Sequence, residues 1–311
     1  MATRLTAPID PPQPGPHEVA YAYDAVGRDY RRDADGPNDD PFLFDSAYAF
    51  ADREIWARID GELVALRATG ADRVRILDAG CGPGTWLIRT VLRARALGFT
   101  VIEGVGFDIS PEMIILASRA ALAVSRREIA LHFEVADIAG ATRAEKDGSF
   151  DLALCLYGVL NHLPTALHDQ IAAELGRVTG GTLLVTVRTI GSLPTIYVHA
   201  LDKARAFHQD NVADRLEIDL VDGRHIGFGS HLFCASEFRA LFAYHIRIAE
   251  LVGLDIFHSR FAANRHWNPD SIANPQFEAA VTALEHLWAS DPTFIDRAAH
   301  ILLVGTRANC P

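Results

Sequence analysis

The sequence is short of the features that would settle a covalent or membrane architecture. Its 311 residues hold four cysteines, Cys81, Cys155, Cys234 and Cys310, far apart and without a CxxC pair. That excludes a dense disulfide framework and suits a reducing cytoplasm. No stretch approaches the roughly 18 uninterrupted apolar residues that read as a membrane span. Met1 to Pro16 carries one basic residue, five prolines and no apolar block, so it does not read as a secretory leader. Positive charge is scarce too. Lys plus Arg number 29 against 40 Asp plus Glu, a net charge of -11, so the chain has no overall attraction for phosphate polymers. The 13 histidines fall in no recognised metal-ligand spacing, and no metal is expected.

Apolar residues make up 49% of the chain, ample for one large core with an attached cap. Residues 1–18, with Pro8, Pro11, Pro12, Pro14 and Pro16, read as a solvated, disordered tail. The Pro11-x-x-Pro14 spacing also suits a polyproline-binding partner. Residues 19–70 read as a helical N-terminal lid. Ile55, Ile59, Leu63 and Leu66 recur at helical spacing, with Trp56 alongside, and Gly70 ends the helix. The acidic stretch before it carries Tyr21, Tyr23 and Tyr30.

From residue 71 short apolar runs alternate with helical segments. Val74–Leu77, Val101–Phe107, the alternating Leu131, Phe133 and Val135, then Leu152–Leu156 and Leu183–Val187 read as strands. Trp86–Leu97, Pro111–Val124 and the stretch carrying Leu167, Ile171, Leu175 and Val178 read as helices. Strands alternating with helices imply an α/β fold, a doubly wound parallel sheet covered on both faces. Residues 189–227 break the rhythm and read as an inserted substrate cap, with a helix over Ile196 to Asp210 and a turn at Asp222-Gly223. The core then resumes over 228–311. Ser236 caps a helix running to Leu251, Leu254–Phe257 and Ile301–Val304 are the last strands, and Pro269 to Ala299 is mostly helical.

The sharpest feature is Ile76-Leu77-Asp78-Ala79-Gly80-Cys81-Gly82-Pro83-Gly84-Thr85. A buried strand runs into a glycine loop and a helix follows. Glycines let the backbone turn tightly and approach a ligand, and the helix start offers unpaired N–H groups. A dinucleotide site wants GxGxxG, and here the third glycine comes one residue early, with Thr85 after it. Asp78 also adds negative charge where a pyrophosphate would lie. A ligand bearing an ammonium group makes better sense of it.

The run LDAGCGPGTW resembles the first motif of class I S-adenosylmethionine-dependent methyltransferases. Phe107-Asp108-Ile109-Ser110, with Met113, resembles the second, whose acidic residue takes the ribose hydroxyls. Val135-Ala136-Asp137-Ile138 resembles the third, which reads the adenine edge. The stretches Phe150 to Pro164 and Gly176 to Val187 resemble the fourth and fifth. The likeness covers residues 71–188 well, 230–260 fairly and 300–307 weakly. It implies a Rossmann-like seven-stranded sheet of order 3-2-1-4-5-7-6, with strand 7 antiparallel. It also implies S-adenosylmethionine as cofactor and S-adenosylhomocysteine as product. The cofactor contacts it implies are Asp78, Gly80, Cys81, Gly82, Gly84 and Thr85 in the loop, and Asp108, Ile109 and Met113 after the second strand. Ala136, Asp137 and Ile138, then Leu156, Tyr157 and His162, and Tyr30 from the lid complete that set.

Methyl transfer from a sulfonium needs positioning, exclusion of water and sometimes removal of a proton. Few dedicated residues are required, so the acceptor leaves little trace. Tyr157, Asn161, Arg188, His199, His225 and His231 are the candidates to meet it, with His162 and His231 the candidate bases. The Asn/Asp-Pro-Pro-Tyr pattern of nucleic-acid amino methyltransferases is missing after the fourth strand. The expected function is therefore O-, N- or C-methylation of a small molecule, a secondary metabolite, in the cytoplasm. No nucleic-acid or membrane partner is expected, and a homodimer is left open. Three rivals stand beside it: a nicotinamide-dependent oxidoreductase on a Rossmann sheet, a non-catalytic binding protein of methyltransferase-like fold, and an RNA methyltransferase, against which the net charge of -11 speaks.

Overall fold

The computed structural model describes residues 17–24, 40–44, 48–192, 204–258 and 274–307. A short helix, α1, covers 17–24. Helix α2 (Ala49–Ala68) buries Ile55, Ile59 and Leu63, the stripe the sequence marks, and Thr69 and Gly70 close it. Next come β1 (Arg73–Ala79), α3 (Thr85–Ala96), β2 (Val101–Asp108), α4 (Pro111–Val124) and β3 (Ile129–Val135). Then follow α5 (Ile138–Arg143), β4 (Phe150–Cys155), α6 (His168–Val178) and β5 (Thr179–Arg188). The chain continues through β6 (Ala204–Asp210), β7 (Arg215–Leu220), β8 (His225–Gly229), α7 (Ala235–Phe242) and β9 (Ile246–Leu254). Helix α8 (Pro275–Trp288) and β10 (His300–Arg307) complete it.

The main sheet has seven strands in the order β3-β2-β1-β4-β5-β10-β9. The first five pair in parallel, and β10 runs antiparallel to both β5 and β9. Counted without the insertion, that is the expected order 3-2-1-4-5-7-6, with the last strand reversed. The central strands are buried on both faces, as their unbroken apolar runs require. One core lies between the sheet and α5, α6 and α7, and the other between the sheet and α2 and α3.

Two segments depart from expectation. The expected helix Ser236–Leu251 divides: α7, capped at Cys234 rather than Ser236, stops at Phe242, and β9 begins at Ile246. Phe238 and Phe242 are helical neighbours that bury themselves, whereas Ile246 to Leu254 finds its hydrogen bonds on β10. Only Leu254 of the expected strand Leu254–Phe257 lies in a strand.

The inserted segment is the second departure. Residues 193–203 lie outside the described residues, but 204–210, expected as helix, is strand β6. It pairs with β7 and β8 in a three-stranded antiparallel sheet. The alternation of Leu216, Ile218 and Leu220 buries one face, and Gly223 at φ +88° supports the β7–β8 turn. That face, with Ile226 and Phe228, packs on Val19 and Ala22 of α1 and on Met113 and Leu116 of α4. Burying side chains of this size stabilises by about 1.5–3 kcal/mol each, so α1 and the small sheet are held as one cap on α4.

Candidate active site

The glycine loop is fixed from the β2 side. Gly80 and Cys81 both donate to the Phe107 carbonyl, at 2.8 and 2.9 Å, and Gly82 N–H donates to Asp108 Oδ2 at 2.9 Å. Gly80 stands at φ +76°, and a Cβ there would come within 2.3 Å of a Val159 methyl. Neither the angle nor the space admits another residue. Gly84, at φ +82°, is the N-cap of α3.

Asp108 ends β2. Its Oδ1 accepts from Ser110 N–H at 2.9 Å, and Ser110 in turn caps α4 and donates from its hydroxyl to Asp24 of α1 at 2.5 Å. Burial pushes the Asp108 carboxyl up, while the N–H groups of Ser110 and Gly82 pull it back. Asp137 caps α5, accepting from Gly140 N–H at 2.7 Å. Asp78 lies beneath the loop, 2% exposed. Its Oδ2 has no hydrogen-bond partner among the described residues, and burial, reinforced by Asp108, raises its pKa to about 7.

Gly80, Gly82, Asp108 and Asp137 border a cleft of about 260 Å³ at the C-terminal edge of the sheet, and Asp78 lies behind the loop without lining it. Gly80, Gly82, Asp108, Ile109, Ala136, Asp137 and Ile138 form one side. Leu156, Tyr157, Val159, His162 and Leu163 form another, and Val19 and Tyr23 of α1 close over it. Its lining is mostly apolar, with the carboxylates of Asp108 and Asp137 among it.

His162 is buried and its ring is held at both nitrogens. Nδ1 lies 2.9 Å from the Gly229 carbonyl, which only accepts, so Nδ1 carries the proton. Nε2 therefore accepts from the Tyr23 hydroxyl at 3.1 Å. Burial depresses the His162 pKa to about 4, so the ring is neutral at physiological pH and a weak base. Tyr157 sits at φ +58° with its N–H on Thr186 Oγ1 at 2.6 Å, and its hydroxyl donates to Asp52 of α2. Burial and Asp52 push the Tyr157 phenol well up, so it stays protonated.

Other candidates stand away from the cleft. Met113 is fully buried in the cap core, against α1 and the small sheet. Cys81, Gly84 and Thr85 shape the loop and the start of α3 without lining the cleft. The Asn161 side chain is spent on backbone: it accepts from Arg188 N–H at 2.9 Å and donates to the carbonyls of Arg188 and His231. Arg188 is buried at the end of β5, with Nη2 3.3 Å from Ser192 Oγ. His225 is exposed on β8 between Asp219 and Glu217. His231 bridges Asp214 and Glu237, tying the cap to α7. Tyr30 and His199 lie outside the described residues.

Sequence reasoning did not commit to Tyr23, Val159, Asp24 or Asp52. Tyr23 stood among the lid tyrosines, and nothing local distinguished it from Tyr30. The contacts that define it reach across 139 residues to His162, and those of Asp52 across 105 to Tyr157.

Comparison with known proteins follows the same lines. Residues 76–180 match the family described as a methyltransferase domain. Magnesium protoporphyrin IX methyltransferase (ChlM) from Synechocystis PCC 6803, solved with bound S-adenosylhomocysteine, is 16% identical, with a TM-score of 0.50 over 94% of this chain and 100% of that one. The cyclopropane synthase MmaA2 from Mycobacterium tuberculosis is 15% identical, with a TM-score of 0.50 over 94% of this chain and 98% of its own. Both are likenesses of fold. No curated protein matches the sequence. The strand order and the match over residues 76–180 agree on a Rossmann-like fold carrying a methyltransferase domain.

Proposed function

We propose that the cleft holds S-adenosylmethionine and delivers its methyl group to a small-molecule acceptor, a secondary metabolite in the cytoplasm. The observation that carries this reading is the unpartnered Oδ2 of buried Asp78 beneath a glycine loop that is itself tied to Asp108. A carboxylate so placed suits the cofactor's ammonium group. The Asp108 oxygens suit two ribose hydroxyls. Asp137 suits the exocyclic amine of adenine, with Ile109, Ala136, Ile138 and Leu156 as apolar cover for the ring. The bound cofactor supplies the reactive carbon.

The chain's own part is positioning. Tyr157, steadied by Asp52 and Thr186, and Tyr23, steadied by His162, narrow the cleft and exclude water. His162 acts in our reading as a fixed hydrogen-bond acceptor, because its proton affinity is too low for a base. The apolar lining and the net charge of -11 favour a small acceptor over RNA.

The test is transfer of labelled methyl from S-adenosylmethionine to three pools: small molecules below about 1 kDa, total RNA and unfolded protein. Label confined to the small-molecule pool supports the reading. Label in RNA or protein contradicts it.

A further inference from the structure

The main sheet ends in two edge strands, β3 and β9, and the fold treats them differently. β9 is guarded. Its Gly253 N–H donates to the carbonyl of Ala289, just past α8, at 2.7 Å, and its register on β10 shifts between Ile248 and Glu250. β3 runs from Ile129 to Val135 without proline, lysine or a shift of register. Among the described residues no strand pairs with its outer side. The even-numbered residues turn their backbone to β2: the Glu128 carbonyl accepts from Ile102 N–H at 2.8 Å, and Ala136 N–H donates to the Asp108 carbonyl at 3.0 Å. By the alternation of a parallel ladder, Leu131, Phe133 and Val135 turn theirs outward. Ile129 would be a fourth, but its N–H donates to the Arg126 carbonyl at 3.1 Å. Beside this row a groove of about 610 Å³ separates β3 from α4, with Ser118, Leu122 and Ser125 along it at helical spacing. Leu122 is 77% exposed and Val135 48%. An open row of backbone groups beside apolar side chains is a template for another strand.

We propose that β3 is the surface by which two copies of this chain pair, antiparallel about a two-fold axis at Phe133, joining their seven-stranded sheets into one. The strand's own sequence selects that register. With the axis at Phe133, the hydrogen-bonded pairs are Phe133 with its counterpart and Leu131 with Val135. Between them His132 stands directly opposite Glu134, twice by symmetry, in the non-hydrogen-bonded position where side chains come closest. Both residues are exposed and share one face of the strand. Other registers oppose like groups or lack donors. An axis at Leu131 sets Glu128 against Glu134, and an axis at Glu134 sets that carboxylate against its own copy. An axis at His132 pairs the imidazole with itself and leaves Glu134 opposite Ala130. An axis nearer Arg126 needs the Ile129 N–H that is already given away, and one at Val135 runs past the end of the strand. Charge complementarity therefore names a second copy of this chain as the occupant of the edge.

The experiment is sedimentation velocity of the full chain from about 1 to 200 µM, a range that spans weak and moderate association. A reversible dimer is the expected result. His132→Glu sets like charges face to face in both symmetric pairs and should weaken the dimer by about tenfold. Adding Glu134→Lys to that variant sets unlike charges there again and should restore the dimer to within about threefold of the unaltered chain. That recovery separates a lost contact from a lost fold. Neither position lines the cleft, so ligand binding stays out of the reading. Amide hydrogen exchange gives a second view: the N–H groups of Leu131, Phe133 and Val135 should exchange more slowly as concentration rises, and those of β9 should not change. A chain that stays monomeric across the range overturns the proposal. So does a dimer indifferent to His132→Glu, which would pair through another surface, and so does a dimer that the double variant fails to restore.

Discussion

The two sides of the cleft are built by different means. The side formed by β1, β2 and the loop between β1 and α3 is made of backbone geometry. Gly80 sits against Val159 and at positive φ, Gly82 hangs from Asp108, and both carboxylates project from strand ends. The opposite side is made of side chains meeting across the chain. Tyr23 meets His162, His162 meets Gly229, and Tyr157 meets Asp52. Backbone demands leave a dense local signature in the sequence, and long-range side-chain pairs leave almost none.

The largest expected effect is on the backbone-built side. Asp108→Ala removes the acceptor of the Gly82 and Ser110 N–H groups together with the proposed ribose holder. Binding of S-adenosylhomocysteine should weaken by about 100-fold or more, two charge-assisted hydrogen bonds at about 1.5 kcal/mol or more each, as calorimetry would read. Gly80→Val should come next. It puts a β-branched residue at φ +76° against Val159, and thermal unfolding should show a loss of about 2–4 kcal/mol.

pH separates the two sides by sign. The folded pKa of His162, about 4, lies below its ordinary value of 6.5. Its neutral burial therefore stabilises above pH 6.5, and that stability is lost as pH falls toward 4. The folded pKa of Asp78, about 7, lies above its ordinary 3.8, so the stability of the ligand-free chain falls as pH rises from 3.8 to about 7. Asp78→Asn should therefore raise the melting temperature of the ligand-free chain at about pH 8 and change it little below pH 4. His162→Gln should instead flatten the loss of stability between pH 6.5 and 4. Thermal scans across pH check both, and matching slopes in the two variants would break the comparison.

On the cap side, Tyr23→Phe and His162→Gln should each cost about 1 kcal/mol, and the double variant should cost less than their sum. A double-mutant cycle in denaturant reads that coupling. At the small end, His225→Ala should change stability by less than about 0.5 kcal/mol and ligand affinity not at all, because His225 is exposed on the outer sheet.

The same division explains what was legible. The alternation of strands and helices followed from apolar runs of strand length separated by helical stretches, and the order of the seven strands from the resemblance that the motifs carry. Asp78, Gly80, Gly82, Asp108 and Asp137 stand in short local motifs, although Gly80 and Gly82 are held by Phe107 and Asp108 of β2. Met113 did not separate from the core, because a methionine one turn into α4 packs equally well on an adenine or on Val19 and the small sheet. The helix expected through Leu251 failed because the apolar residues after Phe242 fit either period, and pairing with β10 decided between them. The inserted sheet was misread for the same reason, its hydrogen-bond partners being one another. Asn161 and His231 are polar residues of the right type near the right edge, yet their bonds go to backbone and to two carboxylates. Only the partners, distant in sequence, reveal that.

The most direct test of the account is competitive calorimetry of the full chain with S-adenosylhomocysteine and with NADH, repeated with Asp108→Ala. Micromolar binding of S-adenosylhomocysteine, lost in the variant, with no heat from NADH, is the expected result. Binding of NADH without S-adenosylhomocysteine would contradict it and return the glycine loop to a nicotinamide-dependent enzyme.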